Sequence, residues 1–179
     1  VVRYGNVVGS ISSSLTTREN WKPVKLEANK RLCFAGSEPL AQGFLVDKQY
    51  SIDLINQDPK YRDILYPFLI GKEVNQSVSQ SPERWIINFF DWDEKKASTY
   101  DKAFTKIVDD VKPDRQRLKE DGSYVLRNPL PQKWWIYNEK RSSLYHCLGR
   151  GELFSQHPKG WVSDSGSLYR VIVTARGAT

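Results

Sequence analysis

The run RWIINFFDW at 84–92 is mostly apolar, with Asn88 and Asp91 as its internal polar residues, and rich in aromatic and β-branched residues, a pattern that predicts a buried strand. Downstream the period changes. Phe104, Ile107, Val108, Val111 and Leu118 fall at offsets 0, 3, 4, 7 and 14, one face of a helix, with Pro113 inside the pattern and a kink or break expected there. Asp91 or Asp93 is placed to start that helical region. Upstream, 30–47 reads as strand, Gly/Pro-containing loop and strand. A helix follows, with Asp47 at its N-cap and Tyr50, Leu54 and Ile55 on one face. Asp58 then caps a second helix with Pro59 at the first helical position, and Pro67 is expected to end it. In the second half, YVL (124–126) and WWIY (134–137) read as strands around the Pro-bounded loop NPLP. RSSLYHCL (141–148) reads as a short helix and LYRVIVTA (168–175) as a last strand. Strands and helices mix without a βαβ beat. The fold class expected is α+β, a single mixed domain with mostly antiparallel strands and several short helices.

With 179 residues, 39% hydrophobic and 12% aromatic, the chain is long and apolar enough to bury one core. GSISSSLTT (9–17) is the most loop-like stretch, so residues 1–25 are expected to be a flexible or linking segment and 26–179 the domain proper. The chain starts at Val1 and stops as a strand gets under way, which suggests a piece of a larger polypeptide truncated at its C-terminus. No apolar run approaches the ~20 residues of a membrane span. VVRYGNVVGS lacks the cationic start and apolar stretch of a signal peptide, so a cytoplasmic setting is expected. Cys33 and Cys147 then read as reduced, buried thiols. With His146 and His157 they make a poor zinc set: there is no C-x₂-C pair, and His146 and Cys147 are adjacent.

Charge is unevenly distributed. Residues 1–126 carry 19 Lys/Arg against 18 Asp/Glu, whereas residues 127–179 carry eight against three, so nearly all of the net +6 lies in the last third of the chain. A basic end on a near-neutral body is the electrostatic footprint of phosphate binding. The bases cluster in KPDRQRLKEDGSYVLRNPLPQKWWIYNEKR: Lys112, Arg115, Arg117, Lys119, Arg127, Lys133, Lys140 and Arg141. On a helix, Arg115 and Lys119 share a face. On a strand, Trp134, Ile136 and Asn138 face one way and Trp135, Tyr137 and Glu139 the other, which makes at least one Trp structural. An aromatic beside Arg can also stack or wedge at a base.

Other chemistry is thinly represented. DWDEKK (91–96) offers Asp91 and Glu94 as ligands of a metal-dependent nuclease, but carboxylates where a strand gives way to a helix are explained by capping and the helix dipole. There is no G-x-G-x-x-G, P-loop or G-x-S-x-G.

The blocks WIINFFDWDEKKASTYDKAFTKIVDDVKPDRQRL, KWWIYNEKRSSLYHCL and YRVIVTAR, preceded by NKRLCFAGSEPLAQGFLVD and LYPFLIGKEVNQS, resemble the target-recognition domain of MmeI-like type II restriction-modification enzymes. Those enzymes are N6-adenine DNA methyltransferases, and the PglX-like phage-defence methylases are similar. The likeness runs over about 26–176, in order. Phe90 departs from it, since a Gly is expected after INF. The resemblance implies a bacterial module that reads double-stranded DNA for a catalytic methyltransferase domain of the same polypeptide. That domain would hold S-adenosylmethionine and an Asn-Pro-Pro-Tyr motif; in this chain Asn128-Pro129 is followed by Leu130, so no cofactor is expected here. The eight bases above would face DNA while Trp134 and Trp135 anchor the fold. The alternatives are a nuclease using Asp91 and Glu94, or a protein-interaction domain whose binding is insensitive to salt.

Overall fold

The buried run at 84–92 supplies the middle strand of a three-stranded antiparallel sheet. The computed structural model describes residues 2–3, 6–7, 24, 27, 33–156 and 172–174, and the chain divides between Cys33 and Phe34 into two compact units. In the first, β1 (Val2–Arg3) pairs antiparallel with β2 (Asn6–Val7). The loop-like stretch at 9–17 and the start of the strand expected over 30–47 lie outside the described residues.

The second unit is α+β, as its sequence pattern predicts. A turn of 3-10 helix (Gln42–Phe44) leads into β3 (Leu45–Asp47) and α1 (Lys48–Gln57). Asp47 caps α1 by accepting the Tyr50 N–H at 2.7 Å, and Leu54 is buried on its inner face. Asp58 accepts the Lys60 N–H at 3.0 Å and starts the 3-10 helix Pro59–Asp63. That helix ends at Asp63, before Pro67. The proline instead sits in β4 (Leu65–Phe68), an edge strand, where a missing N–H leaves no ladder bond unmade. After α2 (Gly71–Gln76), β5 (Arg84–Ile87) runs between the two edges, with Leu45 opposite Ile86 and Leu65 opposite Ile87.

Asp93 caps α3 (Glu94–Ser98) through the Lys96 N–H, and α4 (Asp101–Asp110) follows. The expected break falls at Val111, after which α5 (Lys112–Arg115) carries Pro113 in its first turn. The helix therefore stops short of Leu118, which is 56% exposed rather than on a buried face. Gly43 lets the 42–44 turn pack on the end of α4: a Cβ there would lie 2.6 Å from that of Asp110.

YVL and WWIY are not strands. Only an isolated bridge, Leu118 to Tyr124, joins 117–125, and 128–137 is a succession of turns. Trp134, Trp135, Ile136 and Tyr137 are all buried, so the expected alternation of faces is replaced by four consecutive core residues. Turns make this possible because each redirects the chain, and the polar tips find internal acceptors. Trp135 Nε1 donates to the Trp92 carbonyl at 3.0 Å and the Tyr137 hydroxyl donates to that of Ile87. Finally α6 (Ser142–Cys147) and the 3-10 turn Gly151–Leu153 close the described core. Residues 172–174 carry no strand, and the rest of 168–175 lies outside the described residues. Cys147 is buried, but Cys33 is exposed, contrary to expectation.

Candidate nucleic-acid interface

The basic stretch over 112–141 divides into cations that the core consumes and cations left facing water. Arg115 belongs to the first group. It is 3% exposed, and its guanidinium donates to the carbonyls of Ile136 and Pro39 (3.2 Å) while lying 5.0 Å over the Phe44 ring. Burial lowers its pKa, but carbonyl dipoles and an aromatic face stand in for water and no carboxylate is needed. Arg115 therefore staples α5 to the 134–137 turns, and of the eight bases expected to face DNA it is the one whose side chain lies buried in the core. It also shares no helix with Lys119, because α5 ends at Arg115.

Two more are partly engaged. Lys112 holds its ammonium 5.1 Å from the Trp134 ring centroid. Arg141 has φ +53° at the start of α6 and donates to the Gly36 carbonyl (3.1 Å) and to Glu38 (3.0 Å), with Glu139 at 3.9 Å. An ion pair of this kind weakens Arg141 as a partner for an external anion.

The remaining five, Arg117, Lys119, Arg127, Lys133 and Lys140, have no acidic partner among the described residues, and all but the half-buried Lys140 are exposed. Arg117 and Lys119 sit on a projecting arm. The Lys119 N–H donates to Ser123 (2.8 Å) and the Val125 N–H to Arg117 (2.9 Å), and Gly122 with φ +79° makes the tip. The arm shows Leu118, Tyr124 and Val125 to solvent at 56%, 40% and 37% exposure. An exposed aromatic next to unpaired cations is the combination that can pack at a base step.

Asp91 does not pair with Glu94 as a metal site. Its two carboxylate oxygens accept the backbone N–H groups of Ser155 (2.8 Å) and Gln156 (3.1 Å), while Glu94 is exposed in the first turn of α3. Among the described residues no group of three His, Cys, Asp or Glu side chains is placed to hold a metal. His146 donates from Nδ1 to the Ser142 carbonyl at 2.8 Å, and His157 lies outside the described residues.

One cation escapes the sequence reading. Arg150 is exposed, with its guanidinium 4.8 Å over the Tyr66 ring. The signal was its position between two glycines, Gly149, at φ +71°, and the buried Gly151. No helix among the described residues is long and apolar enough to cross a membrane. No family model matches the chain, and no curated protein or solved structure matches it.

Proposed function

We propose that this chain is a sequence-specific double-stranded DNA recognition module of a bacterial restriction-modification adenine methyltransferase. It positions the target base for a catalytic domain elsewhere in the same polypeptide, in the cytoplasm. The observation that carries the reading is the separation of charge: five cations between Arg117 and Lys140 have no acidic partner among the described residues, while Arg115 in the same stretch is drawn inside. Cations left unpaired at a surface retain their full field for phosphates, which supply most of the affinity and fix the register of a DNA-binding protein. The order of the sequence blocks supplies the rest, through their resemblance to MmeI-like and PglX-like target-recognition domains. Adenine methylation requires the base to leave the stack, so a module of this kind grips the duplex while S-adenosylmethionine and the Asn-Pro-Pro-Tyr motif act from the catalytic domain.

The test is duplex binding by the whole chain, followed by fluorescence anisotropy at several salt concentrations. A log-log slope of several units is expected, with no methyl transfer and no Mg²⁺-dependent plasmid cleavage by the chain alone. Binding to a protein partner that is insensitive to salt, with none to DNA, would replace this reading with a protein-interaction domain. Plasmid cleavage would replace it with a nuclease.

A further inference from the structure

Lys133 and Lys140 are seven positions apart in a chain of turns, yet both line one open pocket of about 340 Å³. Neither has an acidic partner among the described residues. Their backbones are held. The Lys133 N–H donates to Pro129 at 2.9 Å and its neighbour Trp134 is buried; Lys140 precedes Arg141, which is tied to Glu38 and Gly36. Ser142, Phe154, Ser155 and Gln156 complete the lining. Asp91 also lines the pocket, but both its oxygens are occupied by the Ser155 and Gln156 N–H groups, so amide dipoles offset its charge.

We infer that this pocket seats a single phosphodiester of the DNA backbone, between the ammonium groups of Lys133 and Lys140. The inference rests on the DNA reading for the source of the phosphate and goes beyond it in assigning one discrete seat. Two ammonium groups beside one carboxylate whose oxygens are taken up by backbone amides leave the pocket net positive, which suits an anion, and the DNA reading makes that anion a backbone diester. The volume lies at the low end for ligand pockets, room for one phosphate and part of its sugar and not for a strand. The phosphate is shared chemistry with free phosphate, and the two sources are separable.

The experiment has two arms. In the first, inorganic phosphate is titrated into the whole chain while the lysine side-chain amines are followed by NMR, with sulfate as a second oxyanion and chloride at equal ionic strength as the control for charge screening. Two lysine signals that move under both anions and vanish in Lys133→Gln and Lys140→Gln are expected, with no shift of that kind from chloride. In the second, the salt dependence of duplex binding is measured for the same variants. Because both lysines serve one phosphate, each single variant is expected to reduce the slope by up to ~0.9 and the double variant by no more than that same ~0.9. Lys133→Arg should restore it. Strong DNA binding with an unchanged slope in both variants, and no anion response of the two amines, overturns the pocket and leaves the DNA reading standing. An anion response with no duplex binding by the parent chain overturns the diester assignment and the DNA reading together.

Discussion

The side-chain oxygen of Asn88 accepts the backbone N–H of Phe90 at 2.9 Å, and the turn so closed holds Phe90 at φ +53° with its ring fully buried. A left-handed conformation costs a side-chain-bearing residue ~1–2 kcal/mol, and a β-carbon-free residue nothing comparable. The family resemblance expects Gly at this position. Here Phe90 instead sits among Phe154, Tyr145 and Trp92, at centroid distances of 5.1, 5.4 and 5.5 Å.

Phe90→Gly therefore removes strain and packing together. Truncating a buried Phe costs ~3–5 kcal/mol, which exceeds the relief of the backbone. A net loss of about 2 kcal/mol is expected from urea denaturation. A variant as stable as the parent would show that the ring fills no space the core needs.

Arg115→Ala should be among the most damaging single changes in the basic stretch. It leaves the Ile136 and Pro39 carbonyls buried without a donor, each unmade bond costing ~1–3 kcal/mol, and empties the space over Phe44. Arg115→Met keeps the stem and should recover part of the packing. Where Arg115→Ala remains folded, its salt slope for DNA should equal that of the parent. A reduced slope would place the guanidinium at a phosphate and refute its structural role.

Trp135 offers a graded series. Trp135→Ala should cost ~3–5 kcal/mol for the lost ring. Trp135→Phe keeps most of the apolar area but strands the Trp92 carbonyl, at ~1–3 kcal/mol. A Trp135→Phe variant that melts with the parent would show that the indole N–H contributes nothing.

What the sequence made legible follows from how local each signal is. Asp47, Asp58 and Asp93 cap where capping chemistry requires, because an N-cap is decided within three residues. The break before Pro113 is equally local. The WWIY segment was not legible as turns, because two of its four buried residues, Trp135 and Tyr137, are satisfied by the distant carbonyls of Trp92 and Ile87, and no periodicity encodes a partner 43 or 50 residues away. The burial of Arg115 was not legible for the same reason: Pro39, 76 residues upstream, supplies one of its acceptors. The pairing of Lys133 with Lys140 across a pocket is likewise a product of turns, not of spacing.

Stability should fall steeply in alkali. Burial, followed by the hydrogen bond to Asp101, pushes Tyr61 up to about 12, and burial raises Tyr137 well above its ordinary value of 10.0. A group with a raised folded pKa holds its proton after the unfolded chain has released it. Its contribution is complete below about pH 10 and is lost as pH rises through about 12. The tyrosinate absorbance of the buried rings and the circular dichroism should then change together in one cooperative step. Full tyrosine ionisation ahead of unfolding would contradict the buried hydroxyls.

The arm is where DNA affinity and specificity should come apart. Arg117, Lys119 and Arg127 have no acidic partner among the described residues, and Tyr124 stands beside them 40% exposed. Each cation that meets a phosphate releases counterions, so its Ala variant should weaken binding to all duplexes alike and flatten the salt slope by ~0.9. A cation that reads a guanine behaves differently: its loss costs ~1–3 kcal/mol on the cognate site alone. Tyr124→Ala should leave the slope unchanged, since no charge is removed, yet weaken binding by ~1–3 kcal/mol if the ring stacks. Because Arg117, Lys119 and Tyr124 are all exposed, these variants should melt with the parent, which separates loss of contact from loss of fold. Parent-like affinity and slope in all four would leave the arm a solvated hairpin and remove it from the DNA surface.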